Sequence, residues 1–267
     1  MKIENDKYYT PIAVANKCWD KVIELIGKDN IADVIEPSCG NGAFYHYPSM
    51  KPNMGIDIAP EIDNREESII TGDYLEMPIE YKKGRLVIGN PPYGSRMLLA
   101  QRFFKKSVMI ADYIAFILPI SQYNNTSSLF EFDLIYSEDL GLQTYTDRKL
   151  HCCFNVYARP KDGKLNSRKK ETLPFLHIFR QDCKGYENKQ FDIRICYWGD
   201  GTTGKILSDG EHYAGEYKLL INDDYSRKSE LIDFILHFDW KGYLNCIAMK
   251  RLKQYHIINV IKEKFML

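Results

Sequence analysis

At 267 residues, 45% hydrophobic and 27% charged, the chain is long and apolar enough for a globular protein with a real core, either one large domain or a domain with an appendage. A formal net charge of zero gives no global case for a nucleic-acid partner; no run of about 18 apolar residues exists to span a membrane, and the polar start Met1-Lys2-Ile3-Glu4-Asn5-Asp6 reads as no signal peptide. Seven cysteines (Cys18, Cys39, Cys152, Cys153, Cys183, Cys196 and Cys246), odd in number and without a Cys-x-x-Cys pair, read as free thiols of a reducing cytoplasm and argue against zinc.

Tyr8-Tyr9-Thr10-Pro11 opens the first element, with Thr10 suited to cap a helix and Pro11 to its first position. Ile12, Ala15, Trp19, Val22 and Ile26 recur every three or four residues, one face of a helix, and Gly27 is a stop signal. Ile31 to Ile35 reads as a strand. It runs into Glu36-Pro37-Ser38-Cys39-Gly40-Asn41-Gly42-Ala43-Phe44, whose glycines let the backbone turn tightly and approach a ligand. No Gly-Lys-Ser/Thr follows, which speaks against a triphosphate, and the third glycine of the dinucleotide fingerprint is missing. Met54 to Ile58 is a strand carrying Asp57 near its end, placed to take the hydroxyl protons of a ribose. Ser68-Ile69-Ile70 leads to a third strand end in Thr71-Gly72-Asp73-Tyr74-Leu75. Each acid alone also reads as a helix cap.

Arg85 to Gly89 is a fourth, short buried strand, and Asn90-Pro91-Pro92-Tyr93 ends it, because two prolines cannot continue a ladder. A stiff polar loop results at the strand's C-terminal end, where open α/β sheets place their ligands. Taken alone the loop also reads as an ordinary strand-ending turn with an exposed aromatic, but the chemistry it suits is specific. An aryl amine is a poor nucleophile because its lone pair is delocalised into the ring. Two acceptors aimed at its hydrogens, the Asn90 side-chain oxygen and a proline carbonyl, would orient it and make it more electron-rich. Tyr93 offers a flat face on which a base can stack. In a parallel sheet Glu36, Asp57, Asp73 and Asn90 share one rim.

Further on, Ser95 to Ala111 reads as a helix and Tyr113 to Pro119 as a buried strand. Ser121 to Leu140 is mixed and partly helical in pattern, and a strand pair including Cys152 to Tyr157 follows. Strand–helix alternation over 10–160 predicts an α/β fold with a doubly wound, mostly parallel sheet. Beyond Pro160 the texture changes to a small C-terminal α+β region, 161–267. Leu173 to Phe179, Phe191 to Trp198 and Tyr217 to Ile221 read as strands, extending the core or forming a separate unit; Ser229 to Phe238 and Ala248 to Phe265 read as helices. Trp198, beside Gly199-Asp200-Gly201, reads as a core anchor at a strand end, with a DNA-facing loop as the alternative. The histidines His46, His151, His177, His212, His237 and His256 show no ligand spacing, so no metal is predicted. Charge is segregated: Arg159, Lys161, Lys164, Arg168, Lys169 and Lys170 against Asp162 give a local +5, as do Lys241, Lys250, Arg251, Lys253, Lys262 and Lys264 against Glu263. Such segregation suits one phosphate-facing side, although a solvated loop and a soluble terminal helix would show it too.

Over roughly residues 8–157 these segments resemble the S-adenosylmethionine-dependent adenine-N(6) DNA methyltransferases. Asn90-Pro91-Pro92-Tyr93 is similar to that family's catalytic loop and Glu36 to Phe44 to its cofactor loop, with Tyr8-Tyr9-Thr10-Pro11 ahead of it. The resemblance implies a Rossmann-like class I methyltransferase fold in a 1–160 catalytic domain, with target recognition C-terminal. It places Thr10 and Pro11 against the methionine end of S-adenosylmethionine. Glu36, Pro37, Ser38, Gly40 and Gly42 would hold its amino-acid part, Asp57 its ribose, and Ile58, Asp73 and Tyr74 its adenine. Asn90 and Pro91 would bind the target amine and Tyr93 the target ring, with Phe154, or its competitor Tyr157, clamping the flipped base. Arg159, Lys161, Lys164, Arg168 and Lys169 would face phosphates. The implied setting is a cytoplasmic restriction–modification or phage enzyme, a monomer or weak dimer, with DNA and a cognate restriction endonuclease as partners. Two other readings share these residues: a methyltransferase of protein glutamine or an RNA base, and a non-catalytic DNA-binding subunit.

Overall fold

The computed structural model describes residues 8–62, 68–145, 148–168, 172–199, 201–246 and 251–267, and the chain divides into two units, Met1–Arg168 and Lys169–Leu267. In the first, seven strands form one sheet: β1 (Asp33–Glu36), β2 (Met54–Asp57), β3 (Ile69–Thr71), β4 (Arg85–Gly89), β5 (Tyr113–Pro119), β6 (Asp133–Tyr145) and β7 (Arg148–Ala158), in the order β3-β2-β1-β4-β5-β7-β6. The first five are parallel, and β7 enters antiparallel between β5 and β6. Two helices are α1 (Ile12–Ile26) and α2 (Leu98–Ile110).

Every residue of β4 is buried, so its apolar run must be covered on both sides. Alternate side chains do this. Leu86 and Ile88, with Ala115, Ile117, Phe154 and Val156, join the core of Ala15, Cys18, Trp19 and Val22 from α1. On the other face Phe104 of α2 meets Tyr157 edge-on, 4.9 Å between ring centres. Helices therefore cover both faces, the mostly parallel doubly wound arrangement read from the sequence. The Trp19 indole donates to the Phe44 carbonyl (3.0 Å), which ties α1 to the loop after β1. At the opposite rim Arg85 and Asp33, register partners on β4 and β1, pair at 2.5 Å.

Three local expectations are corrected. Thr10 makes no cap: α1 starts at Ile12 with Pro11 ahead of it. The helix expected from Ser95 starts at Leu98, because Arg96 and Met97 take left-handed φ values of 54° and 64°. Ser121 to Leu140 is not partly α-helical. After a 3-10 turn at Ile120–Gln122 it enters β6, an edge strand with bulges at Leu134/Tyr136 and Asp139/Gly141 that blur its alternation.

The second unit is a separate sheet, not an extension of the first. β8 (Leu176–Arg180), β9 (Ile193–Cys196) and β10 (Glu216–Ile221) are antiparallel in the order β8-β10-β9. Leu176, Ile193, Ile195 and Leu219 share a core with Leu231 and Ile235 of α3 (Lys228–His237), Trp240 of α4 (Trp240–Cys246), and Ile257 and Ile261 of α5 (Gln254–Phe265). Trp198 is not a core anchor: it is 45% exposed, with the Arg251 guanidinium 4.9 Å above its ring. Among the described residues no helix is long and apolar enough to cross a membrane.

Candidate active site

The strand order reverses between β1 and β4: β2 and β3 extend to one side, β5 to the other. Loops leaving such neighbours diverge and open a crevice. Here they are the Glu36–Gly42 and Asn90–Gly94 loops, joined where the Ser38 hydroxyl donates to the Asn90 carbonyl (3.2 Å). The crevice has a volume of about 410 Å3 and is lined by eleven residues expected at the site: Thr10, Glu36, Pro37, Ser38, Gly40, Asp57, Ile58, Asp73, Tyr74, Asn90 and Pro92.

The glycine loop is shaped by its backbone. Gly40 and Gly42 take φ values of 48° and 80°, and a Cβ on Gly42 would sit 2.4 Å from Ile62 Cδ1. Gly40 turns its N–H onto Asp57 Oδ2 (2.9 Å), so the acid that ends β2 holds the loop after β1. Asp57 Oδ1 accepts from Ala59 N–H (2.8 Å), and Asp73 Oδ1 from Leu75 N–H (2.9 Å), each a local Asx turn. Both acids thus order their own loops while lining the crevice. Glu36 is different. It is 2% exposed, and its Oε2 has no hydrogen-bond partner. Burial, then the Asp57 carboxylate, pushes its pKa well above the ordinary value. A buried, unpaired carboxylate lining a crevice matches a cationic group. Cys39 beside it stays a thiol, since burial and the two carboxylates push it up to about 12.

Asn90 is held from two sides. Its Nδ2 donates to the Tyr8 carbonyl (3.3 Å) and to Thr10 Oγ1 (3.2 Å), and its Oδ1 accepts from the Tyr93 hydroxyl (3.0 Å). Burial raises the Tyr93 phenol well above its usual range, which keeps that donor proton in place. The Tyr93 ring lies 6.5 Å from that of Tyr8, 24° from parallel. Pro92 lines the crevice, whereas Pro91 is buried and Pro91, Tyr93, Pro11 and Gly42 stand outside its lining.

Other expected residues are elsewhere. Tyr74 lines the crevice, but its hydroxyl bonds Ser107 Oγ (2.8 Å) and its ring tilts against Phe103. Phe154 is 1% exposed inside the α1-side core and Tyr157 is buried on the α2 side, so neither lines the crevice as a clamp. Arg159 is engaged by the fold itself. It pairs with Asp112 at 3.1 Å, donates to the Val108 and Ala111 carbonyls (2.6 and 2.8 Å) and covers Phe132. Its donors and charge serve the end of α2. Lys161, Lys164 and Arg168 are exposed on the following loop, and Lys169 lies outside the described residues. The crevice also takes in Tyr9, Leu99, Arg102 and Phe103, to which the sequence assigned no site role. Leu99 and Phe103 had a signal, their helical period directly after the Asn90 loop, but it reads equally as core. Among the described residues no group of three or more His, Cys, Asp or Glu could hold a metal.

No family model matches the chain, and no curated protein does. Solved structures do. PH1948 of Pyrococcus horikoshii, provisionally assigned as an RNA methyltransferase, is similar at 17% identity over 57% of this chain and 86% of that one, with a TM-score of 0.42. The 23S rRNA methyltransferase ErmE is 12% identical over 58% of this chain and 70% of its own, at 0.40. The type IIL restriction-modification enzyme MmeI, solved with DNA, is 13% identical over 55% of this chain and 33% of its own, at 0.32. At such scores these likenesses carry no weight on activity or substrate.

Proposed function

We propose that the chain is an S-adenosylmethionine-dependent DNA adenine-N(6) methyltransferase. One observation carries the reading: the buried, unpaired Glu36 carboxylate and the tethered Asn90 amide line one crevice at the reversal of strand order. The residues fit the cofactor. Glu36 offers the anion that an amino-acid ammonium needs, and Asp57 acceptors for ribose hydroxyls. Ile58, 61% exposed, lines the crevice with Asp73 and offers an apolar face for a purine. When bound, S-adenosylmethionine supplies a methyl group activated as a sulfonium.

Everything else falls to the chain's own side chains. Both Nδ2 hydrogens of Asn90 are engaged, and one of two lone pairs on Oδ1 takes the Tyr93 hydroxyl. What remains for a ligand is one acceptor site, which fits the N–H of an exocyclic amine. Accepting that hydrogen orients the amine and raises its electron density. Asn90 is no base; the proton released after transfer goes to solvent. Catalysis is then mainly positioning. An adenine in a duplex must leave the stack to reach a crevice, at a cost of a few kcal/mol, roughly. The exposed Lys161, Lys164 and Arg168 are available to phosphates.

The test is product identity. The protein is incubated with isotopically labelled S-adenosylmethionine and unmethylated genomic DNA, and separately with total RNA, and nucleosides are analysed by mass spectrometry. Label in N(6)-methyldeoxyadenosine is expected. Label in RNA alone, or in protein glutamine, overturns the substrate assignment.

A further inference from the structure

Thr10 has no capping bond to account for its place: α1 has no side-chain cap. Yet Thr10 is buried, at 6% exposure, and its Oγ1 lies 3.2 Å from Asn90 Nδ2, across 80 residues of sequence. The Tyr8 carbonyl, at 3.3 Å, receives the same amide nitrogen. A carbonyl can only accept, so the Tyr8 contact fixes which end of the amide is nitrogen, and the Thr10 hydroxyl, which can donate or accept, takes the second amide hydrogen. The flipped amide would set Oδ1 against the Tyr8 carbonyl, acceptor against acceptor. Nothing in the side chain itself enforces that choice, because the last torsion of asparagine is broad and two-fold.

We infer that Thr10 is a positioning residue for Asn90: with the Tyr8 carbonyl it holds the amide so that Oδ1 keeps a free acceptor site for the methyl-acceptor amine. The inference rests on the reading of Asn90 as the amine-binding residue. It differs from what the resemblance implied for Thr10, a place against the cofactor's methionine end. The two assignments separate cleanly. A cofactor contact acts on affinity for S-adenosylmethionine; a tether on Asn90 acts on turnover at saturating cofactor. Because Tyr8, Thr10 and Asn90 all line the crevice, the tether also makes the segment ahead of α1 part of the catalytic loop's support.

The variants are Thr10→Val, which removes the hydroxyl at nearly constant shape, and Thr10→Ser, which restores it. Unfolding midpoints establish that each is folded; should Thr10→Val not fold, Thr10→Ala takes its place. With unmethylated DNA, Thr10→Val lowers kcat about tenfold, the effect of one hydrogen bond at the strong end of its usual range, and leaves the Kd for S-adenosylmethionine within about twofold. Thr10→Ser recovers most of the loss. A raised Kd with unchanged kcat, or wild-type behaviour in both, overturns the inference. A second readout does not need activity: the Asn90 side-chain NH2 pair in a 1H–15N spectrum, assigned by its disappearance in Asn90→Ala. Removing the hydroxyl from Thr10 shifts that pair if the tether exists. An unmoved pair overturns the inference. A shifted pair in a protein that transfers no methyl group upholds the tether and refutes the functional reading instead.

Discussion

Replacing Glu36 by glutamine separates binding from stability. The carboxylate is almost completely buried, one oxygen has no partner, and burial together with Asp57 raises its pKa above the ordinary 4.5. The sign follows from which state holds the proton longer. The unfolded chain ionises Glu36 near its ordinary value and the folded protein only at higher pH. The stabilisation from this group is therefore complete below about 4.5 and is lost as pH rises through the raised folded value. Glu36→Gln removes the charge that causes that loss, so at pH 7.5 the free protein should gain on the order of 1 kcal/mol in unfolding free energy. Affinity should move the other way. A charge-assisted contact to an ammonium is worth about 1.5–3 kcal/mol, a loss of roughly 10- to 150-fold in Kd. Wild-type affinity for S-adenosylmethionine should rise with pH as Glu36 ionises, followed below about pH 7.5 where an α-amino group stays charged, and the glutamine variant should be flat. Titration calorimetry and urea unfolding on the same preparations read both quantities. A variant that binds as tightly as wild type, or that is less stable at pH 7.5, would refute this assignment of Glu36.

Three further expectations concern the loop, the structural arginine and the exposed cations. Gly42→Ala should lower unfolding free energy by about 1–3 kcal/mol, because it combines a left-handed backbone with a 2.4 Å approach to Ile62; urea midpoints measure it, and a neutral result means the loop relaxes freely. Arg159→Ala should cost about 2–3 kcal/mol through the Asp112 pair and the carbonyls at the end of α2, with no change in the salt dependence of DNA binding; an altered salt slope would return Arg159 to the phosphate-contact role. Replacing Lys161, Lys164 and Arg168 together by glutamine should do the reverse. Stability should hold, while the slope of log K against log salt falls by up to about 2.7; an unchanged slope removes this loop from the DNA surface.

What the sequence made legible was local. Apolar runs ending in turn residues marked β1, β2, β4 and β5, and the loops after β1, β2 and β4, with that after β3, carry the crevice because a parallel sheet puts those ends on one rim. What it concealed depended on distant partners. Thr10 followed by proline looks like a helix start, but its hydroxyl bonds a residue 80 positions away. β7 lies between two strands and is buried on both faces, so period-two alternation could not say whether Phe154 or Tyr157 reaches a ligand; neither lines the crevice. Arg159 stood first in a basic run and counted as one of six cations, although Asp112 claims it from across the sheet end. Charge counts along a chain register proximity in sequence, not neutralisation in space.

Asn90→Ala tests the central claim most directly, with S-adenosylmethionine affinity and single-turnover methyl transfer to DNA measured on the same folded protein. The expected result is a Kd within about threefold of wild type and a transfer rate lower by about 10²–10³, as for other groups that act only on the reacting centre. Unchanged transfer, or affinity and transfer lost in equal measure, would contradict Asn90 as the residue that presents the amine.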